Sequence, residues 1–450
     1  MQILNLFFIS WSSNEGIFSS EELLSWISDL NSNINVTINK TTLINTKWFY
    51  NEKYGQITNN SYAFFQISGI RNNNIEQPIL LQNEIGYLGI LCKPINGILH
   101  FLMQAKIEPG NINKIQISPT IQATKSNFTQ AHGGNKPAYL DWFLNTDKHC
   151  IIVDQIQSEQ SSRFLGKRNR NIIIMLDENI EIEELPSHKW MTLGQIKNFM
   201  RIDNLVNMDT RTVLSCIPFY KCNFNSHDTS LTRSITQGNQ PDILQKIYVY
   251  INNYKMFNEN KLELVPLYSL KNWQTIIKDN IEEFSCKTDY PFKIVFCDIS
   301  IEGREVRHWG QPLFEAHGMA TFGLFTRIKD DIQEFLVCAK PEIGCYDKIE
   351  LGPSIQMEST EKPDNTIEKL FFEYYNTKKQ CIKHDVILSE EGGRFYHEQN
   401  KNIIIEIESD LISDPPPGYW WCTYRTLNKL TQINNILNIQ LRNLLSLLTI

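Results

Sequence analysis

No glycine-rich phosphate loop and no dinucleotide-binding fingerprint occurs in the 450 residues of this chain. The motifs HExxH and GxSxG and the paired-cysteine spacings of zinc sites are missing as well. These patterns are typical of metalloproteases, serine hydrolases and structural zinc modules. The nine histidines are mostly dispersed along the chain. We therefore set these chemistries aside and predict that no metal ion is bound.

Ten cysteines are present, but none belongs to a CxxC pair. The chain is much longer than the small secreted domains that depend on disulfides, so we predict free thiols in a reducing cytoplasm. The opening MQILNLFFISW has no basic region and no small-residue cleavage site, which favours a buried segment over a signal peptide. No apolar run reaches the roughly 18 residues that cross a bilayer, so we expect no membrane partner.

Positive charge is not concentrated anywhere in the chain. The formal net charge is -7, and lysine and arginine are scattered among the acidic residues. Without a basic stripe we expect no nucleic-acid partner, and any bound anion must be met by local groups. The length exceeds what one hydrophobic core normally supports and predicts two or three domains.

The most informative feature is an internal repeat. The segment FLMQAKIEPGNINKIQISPTIQ from residue 101 recurs from residue 335 as FLVCAKPEIGCYDKIELGPSIQ, at an offset of 234. After a difference in loop length the offset becomes 231, and it pairs Trp190 with Trp421 and Arg211 with Arg442. We predict domains at 1–220 and 246–450, called copy one and copy two below. The polar stretch 221–245 is the expected linker.

Each copy mixes strand and helix signals. Short runs rich in Ile, Val and Phe are bounded by Gly, Pro and Asn, which predicts strands joined by turns. The stretch SSEELLSWISDL has an N-cap signal, and residues 193–217 and 427–450 repeat apolar residues at helical spacing, so each copy should close on a helix. The sequence thus predicts an α+β protein with an internal duplication. A membrane-seeking C-terminal helix is the alternative to core packing.

Candidate catalytic residues follow the repeated AK strand of copy one, because loops after strands often carry function. They are Lys106, Glu108 and His132, with Thr124, Ser126 and Asn127 as groups that could bind a phosphate or a sugar. His132 could donate or accept a proton near neutral pH. Lys106 and Glu108 could equally be an ordinary surface pair. Because Glu108 and Gly110 recur as Glu342 and Gly344, a turn role is also open.

A second candidate is the turn SEQSSRF (158–164), which recurs as SEEGGRF (389–395). In copy one it continues into a basic run that contains Arg163, Lys167 and Arg170, and such cations can clamp a diphosphate. A solvated basic hairpin is the simpler alternative.

The segments FLMQAKIEPGN, SPTIQATKSN and SEEGGRFYHEQN, in this order within the duplication, resemble the NDP-hexose 2,3-dehydratases of deoxysugar biosynthesis over nearly the whole chain. The resemblance implies two Nudix-like mixed-sheet domains with flanking helices and a cytoplasmic homodimer. It also implies a nucleotide-linked 4-keto-6-deoxyhexose as substrate, typically on dTDP, with no cofactor. Neither copy has the Nudix box, which points away from diphosphate cleavage.

The implied reaction removes the proton on sugar carbon 3 and expels the hydroxyl on carbon 2. In this reaction His132 or Glu108 would act as the acid or base, and Lys106 would contact the enolate oxygen or another oxygen of the substrate. Thr124, Ser126 and Asn127 would bind the sugar, and Arg163, Lys167 and Arg170 the diphosphate. Copy two would hold a second, silent pocket lined by Trp309, Arg394, Tyr396 and His397, although the opposite assignment stays open. The rival functions are a metal-dependent nucleotide-sugar hydrolase and a non-catalytic nucleotide-sugar-binding protein.

Overall fold

The computed structural model describes residues 2–62, 64–125, 136–222, 228–302 and 306–450. Within them the chain forms helices and several mixed sheets, which confirms the α+β prediction and the two similar halves. The expected likeness of each half to a Nudix domain stays a prediction.

The strands of the first half are β1 (Val36–Thr41), β2 (Trp48–Asn51), β3 (Gln56–Asn59), β4 (Gln66–Arg71), β5 (Glu76–Leu81), β6 (Gly86–Ile95), β7 (Ile98–Ile107), β8 (Ile115–Ser118), β9 (Ile121–Ala123), β10 (Cys150–Ser158), β11 (Arg168–Met175) and β12 (His188–Thr192). Those of the second half are β13 (Glu263–Val265), β14 (Trp273–Lys278), β15 (Ile281–Cys286), β16 (Phe292–Ile301), β17 (His308–Ala316), β18 (Ala320–Lys329), β19 (Ile332–Lys340), β20 (Glu350–Pro353), β21 (Ile355–Met357), β22 (Ile382–Ser389), β23 (Phe395–Tyr396), β24 (Gln399–Glu406) and β25 (Tyr419–Thr423).

The α-helices are Gln2–Ser12, Ser20–Asn33, Leu140–Leu144, Leu193–Phe199, Met208–Ser215, Ser230–Thr236, Pro241–Phe257, Thr366–Thr377, Tyr424–Leu430 and Ile439–Ser446. Short 3-10 helices lie at Leu43–Thr46, Thr146–Lys148, Phe219–Lys221, Leu267–Ser269 and Lys379–Cys381. The predicted N-cap is present, because Ser19 and Glu22 form a reciprocal capping box before Ser20–Asn33.

Each copy contains a seven-stranded mixed sheet with the same arrangement. In copy one the order is β10-β11-β6-β7-β12, with β8 beside β7 and β9 beside β6. In copy two the order is β22-β24-β18-β19, with β20 and β25 beside β19 and β21 beside β18. The β11–β6 and β24–β18 pairs are parallel and their neighbours antiparallel. The repeat seen in the sequence is thus a repeat of topology.

The two copies also exchange edge strands. Strand β1 of copy one pairs with β16 of copy two along its full length, from Val36 opposite Ile301 to Thr41 opposite Phe296. In return, β13 of copy two pairs with β4 of copy one. Edge strands carry unpaired backbone groups, and each exchanged strand satisfies such groups on the other copy. Each copy therefore completes a sheet of the other.

The closing helix predicted for each copy is two shorter helices. The chain leaves the helix after Phe199 and pairs with strand β8, where the Ile117 amide donates to the Leu205 carbonyl and the Asn207 amide donates to the Ile117 carbonyl. Asn207 then caps Met208–Ser215. Copy two repeats this break with Leu351 and Asn438. The apolar spacing was read correctly, but the pairing with the strand interrupts the helix.

The apolar faces of both copies merge into one large core. Residues such as Phe7, Phe101, Val295 and Leu441 are almost fully buried in the same cluster. The opening segment is a helix whose Phe7, Phe8 and Trp11 are buried, and the C-terminal helix Ile439–Ser446 is buried along its length. No helix among the described residues is both long and apolar enough to cross a membrane. All ten cysteines are unpaired.

The expected linker is not extended chain throughout. The helix Ser230–Thr236 and the start of Pro241–Phe257 lie within 221–245. The domain boundaries themselves stay a prediction.

Candidate active site

The repeated turns of the two copies dock onto each other's AK strands. The Gly110 amide donates to the Gly392 carbonyl at 2.6 Å, and the His397 amide donates to the Gly110 carbonyl at 2.8 Å. In the reciprocal contacts, the Gly344 amide donates a hydrogen bond to the Ser161 carbonyl and the Gly166 amide donates to the Gly344 carbonyl, both at 2.8 Å. The glycines at 110 and 344 permit this approach, because a β-carbon on either would overlap the facing backbone.

Two glutamines hold the docked turns from the side. Gln77 donates to the Ser162 carbonyl at 2.7 Å, and its counterpart Gln311 donates to the Gly393 carbonyl at 2.8 Å. The two glutamines stand at equivalent positions of the repeat, 234 residues apart, and each precedes a proline.

Two buried arginines fix the start of each turn. Arg211 of copy one donates to the Ser389 carbonyl of copy two, and Arg442 of copy two donates to the Ser158 carbonyl of copy one. Both guanidinium groups are at most 2 % exposed. A charge-assisted hydrogen bond in a buried site holds its partner firmly. The docking of the turns is therefore anchored at both ends, and each site is built from both copies.

The first site lies where the copy-two turn meets strand β7. Lys106 and Glu108 form an ion pair at 2.7 Å, and their side chains are only 14 % and 9 % exposed, so they are not an ordinary surface pair. A β-carbon on Gly393 would lie 3.2 Å from a Glu108 carboxylate oxygen, so this turn passes directly over the acid. We call the charged group around this pair the Lys106 cluster. It comprises Lys106, Glu108, Glu159, Lys167, Asp209, Glu391 and Arg394.

Two further cations belong to the Lys106 cluster. Lys167 is buried and donates to the Glu84 carbonyl at 2.6 Å, and burial lowers its pKa to about 8 although Glu159 and Glu84 oppose this. Arg394 is half-buried, donates to the Gln82 side chain and stacks over the Phe65 ring at 4.3 Å. Lys167 belongs to copy one and Arg394 to copy two, so the docking of the turns is needed to bring both cations into the cluster.

Two acids of the Lys106 cluster, Glu159 and Glu391, have pKa values above the ordinary range of a carboxylate. Burial raises the pKa of Glu159 to about 7, while Lys167 and Arg442 act in the other direction. Burial, and then the charge of Glu108, raises the pKa of Glu391. Groups whose pKa lies near neutrality can donate or accept protons during a reaction, so the cluster is suited to acid–base chemistry.

The corresponding site of copy two is the Lys340 cluster, which comprises Lys340, Glu342, Arg163, Glu358, Glu390, Glu398 and Tyr290. Arg163 of copy one reaches into it and pairs with Glu358 at 2.9 Å. Burial raises the pKa of Glu342 to about 7 and that of Glu398 to about 8. Glu398 stands at the position of Lys167, and Glu358 at that of Thr124. The Lys340 cluster has therefore exchanged a cation for an acid, and its arginine pairs with an acid of the chain itself.

The three cations that the sequence assigned to one diphosphate do not lie together. Arg163 is in the Lys340 cluster and Lys167 in the Lys106 cluster. Arg170 forms a forked pair with Asp154 at 2.6 and 2.7 Å on the adjacent strand β10, which raises its pKa further. Of the three, Lys167 is the one that interacts with Glu391, an electrostatic neighbour of Lys106 and Glu108.

Three of the four residues predicted to line a separate pocket of copy two, Arg394, Tyr396 and His397, belong to the segment that docks onto copy one, whereas Trp309 lies on strand β17. Arg394 belongs to the Lys106 cluster, and the exposed His397 binds Gly110 through its backbone. Tyr396 stacks on His397 and lies under the Lys40 ammonium at 4.9 Å, and Trp309 donates to Gln311. Thr124 directly follows strand β9 of copy one. His132, Ser126 and Asn127 lie outside the described residues.

Sequence reasoning missed Asp209 and Glu391 as members of this site. Asp209 was read as part of an apolar closing helix, and Glu391 as part of the turn of the other copy. The repeat itself held a signal, because the equivalent residues are Gln440 and Gln160. A carboxylate in one copy opposite an amide in the other marks a difference in charge that packing does not require.

Comparison with known proteins identifies the family of this duplicated chain. A model of the NDP-hexose 2,3-dehydratase family matches residues 20–217 and 244–448. The chain belongs to the NDP-hexose 2,3-dehydratase family. A relative from Saccharopolyspora spinosa, named dTDP-4-dehydro-6-deoxy-alpha-D-glucopyranose 2,3-dehydratase, is 33 % identical over 97 % of this chain and 92 % of its own length. Relatives of the same name from Streptomyces violaceoruber and Amycolatopsis orientalis are 34 % and 32 % identical over 89 % of this chain, and over 90 % and 83 % of their own lengths.

The residues that match the family model include the parts of the site that come from each copy. The matched ranges include the AK strand, the repeated turn and the capped second closing helix of each copy. The resemblance stated from FLMQAKIEPGN, SPTIQATKSN and SEEGGRFYHEQN is confirmed.

Proposed function

We propose that this chain is a hydro-lyase that removes water across carbons 2 and 3 of a nucleotide-linked 4-keto-6-deoxyhexose in deoxysugar biosynthesis. The names of the dehydratase relatives support a dTDP-linked substrate. The observation that carries the proposal is the largely buried Lys106–Glu108 ion pair, which is covered by the docked turn of copy two. The pair interacts electrostatically with Glu391, and so do Lys167 and Arg394.

The reaction begins at carbon 3, whose proton is acidified by the neighbouring ketone. We assign its removal to Glu108, because the ammonium 2.7 Å away stabilises the carboxylate form that a base requires. Lys106 is then suited to stabilise the negative charge that develops on the carbon-4 oxygen. The hydroxyl on carbon 2 leaves as water after it takes up a proton. The enol that remains becomes a 2,6-dideoxy-3,4-diketo sugar.

We assign the diphosphate to Lys167 and Arg394, the two cations of the Lys106 cluster that interact with Glu391 in addition to Lys106. Arg163 and Arg170 are already paired with Glu358 and Asp154. The charge difference between the clusters supports the Lys106 cluster as the reaction site. At the position of Lys167, the Lys340 cluster has Glu398, which offers no positive charge to a diphosphate.

The first experiment incubates the purified protein with dTDP-4-keto-6-deoxyglucose and follows the loss of one water by mass spectrometry. Phosphate release that depends on magnesium would instead indicate a hydrolase. Binding of the sugar without consumption would indicate a non-catalytic binding protein. Either result would overturn the proposed function.

The repeat supplies a matched pair of variants for assigning the site. Glu108→Gln should lower kcat by about 10² to 10⁴-fold, the usual contribution of a general base. Glu342→Gln makes the same change at the equivalent residue of the Lys340 cluster and should leave most of the activity. The reverse outcome would move the reaction site to copy two.

We further propose a homodimer in the cytoplasm. The family resemblance supports the dimer, and the ten unpaired cysteines suit a reducing compartment. Sedimentation of the purified protein tests the dimer, and a monomer over the working concentration range would exclude it.

A further inference from the structure

Asp209 is a buried carboxylate that the reaction described above does not yet use. It lies in the first turn of the helix Met208–Ser215 and is 2 % exposed. One of its carboxylate oxygens, Oδ2, has no hydrogen-bond partner in the part of the chain that the structure describes. A buried polar atom left without a partner is costly and is normally retained for a reason.

The charged groups around Asp209 are those of the Lys106 cluster. Its strongest electrostatic neighbours are Glu159, Glu391, Lys106 and Glu108, so three of the four are acids. Arg211 also interacts with Asp209, but its guanidinium donates to the Val206 and Ser389 carbonyls. Burial and the nearby acids raise the pKa of Asp209 well above its usual range, which favours the protonated form of the acid.

The two acids of the site therefore have opposite environments. Glu108 is paired with an ammonium, which favours the charged carboxylate. Asp209 is buried among carboxylates, which favours the neutral acid. Pairs of acids that are held in different protonation states divide the roles of base and acid between them.

A comparison of the two copies shows that Asp209 has no equivalent acid in the Lys340 cluster, unlike the Lys–Glu pair that both clusters share. Lys106 and Glu108 recur as Lys340 and Glu342, whereas Gln440 stands at the position of Asp209. An amide cannot release a proton as a carboxylic acid can. Glu391 differs in the same way from Gln160, but its Oε1 already accepts a hydrogen bond from the Gly393 amide.

We propose that Asp209 is the general acid of the dehydration, which gives its proton to the carbon-2 hydroxyl as that group leaves. This rests on the proposed function and completes its proton balance. Glu108 takes the proton from carbon 3, the C3–H electrons form the C2=C3 bond through the enolate, and the C2–O bond breaks. The hydroxyl leaves as water with the Asp209 proton, and Asp209 becomes a carboxylate. The enol then gains a proton at carbon 2 and loses the one on its oxygen.

The test uses a substrate whose leaving group needs no acid. Asp209→Asn should lower water elimination by about 10² to 10⁴-fold. The same variant should eliminate fluoride from the 2-deoxy-2-fluoro analogue within about tenfold of the wild-type rate, because fluoride leaves without a proton. It should still exchange the carbon-3 proton for deuterium from the solvent. Glu108→Gln should lose both exchange and fluoride elimination.

Three outcomes would overturn the inference. The first is dehydration of the natural sugar by Asp209→Asn at the wild-type rate. The second is a loss of exchange and of fluoride elimination in Asp209→Asn that is as complete as its loss of water elimination. The third is that Glu391→Gln, and not Asp209→Asn, loses water elimination while it keeps exchange and fluoride elimination. Gln440→Asn, with circular dichroism and thermal unfolding of each variant, controls for damage to the equivalent helix start. If the wild-type protein neither dehydrates the sugar nor exchanges its carbon-3 proton, the proposed function has failed instead.

Discussion

The substitution Gly110→Ala tests whether the docked turn of copy two builds the site. A β-carbon at position 110 would lie 1.6 Å from the Phe395 carbonyl oxygen and 2.8 Å from that of Gly392, whereas ordinary contact begins at 3.4 Å. The obstructing atoms are backbone, so no side chain can swing aside. The turn that carries Glu391 and Arg394 must move away from Lys106 and Glu108.

The loss of stability expected for Gly110→Ala has two sources, the steric clash and the weakened hydrogen bonds. Overpacking of a close contact costs about 1 to 3 kcal/mol, and two backbone hydrogen bonds at Gly110 contribute about 0.5 to 1.5 kcal/mol each. We therefore expect the free energy of unfolding to fall by about 2 to 6 kcal/mol. A displacement of about 1 Å at a reacting group can lower the rate by about 10²-fold, so kcat/KM should fall by at least this factor.

The assay measures thermal unfolding and the rate of water loss for Gly110→Ala and Gly344→Ala side by side. A β-carbon at Gly344 would lie 1.9 Å from the Phe164 carbonyl oxygen, so the second variant should lose similar stability. Its clash displaces the turn that faces the Lys340 cluster, and more activity should remain. Equal losses of activity in the two variants, or an unchanged unfolding midpoint in Gly110→Ala, would refute the reasoning.

Three further predictions concern a buried histidine, a buried arginine and the cations near the site. Burial lowers the pKa of His188 from 6.5 to about 4, so the unfolded chain binds a proton that the folded chain refuses. The contribution of neutral His188 to the free energy of unfolding is complete above pH 6.5 and falls by about 3 kcal/mol as the pH drops to 4. The thermal unfolding midpoint of His188→Gln should therefore depend less on pH between 6.5 and 4 than that of the wild type. Arg442→Met should lower the free energy of unfolding by about 3 kcal/mol or more in urea titration, because the Ser158 and Leu437 carbonyls lose a charged donor. A result within error of wild type would contradict this. Arg394→Ala should raise KM for the nucleotide sugar by about 10 to 100-fold and Arg170→Ala much less, and the opposite ranking in steady-state kinetics would exclude the assignment.

Much of the fold could be predicted because the repeat and the local signals agree. The offset between the copies correctly matched strands such as β7 and β19, and the capping box at Ser19 was visible in the sequence. The exchange of β1 and β13 could not be read, since a strand pattern does not show which sheet edge the strand will join. The break in the predicted closing helix before Asn207 could not be read either, because it depends on pairing with strand β8, which is distant in the sequence.

The sequence indicated some of the residues that meet in the Lys106 cluster, and their catalytic roles stay predictions. Lys106 and Glu108 were found because they follow a strand and recur in the second copy. Arg394 was assigned to copy two, because a residue's position in the sequence gives no sign that its turn docks onto the other copy. His132 lies outside the described residues, so its role stays a prediction.

The docking also explains how one cluster could become different from the other. Asp209 belongs to copy one and Glu391 to copy two, yet both lie at the Lys106 cluster. Their counterparts Gln440 and Gln160 also come from opposite copies, and Gln160 binds Glu390 of the Lys340 cluster. A change in one copy's turn alters the other copy's cluster, so both copies are needed to specify a single site. Two amide-to-acid differences in different copies thus supply two acids with raised pKa values to the same cluster, while the shared Lys–Glu pair remains in both.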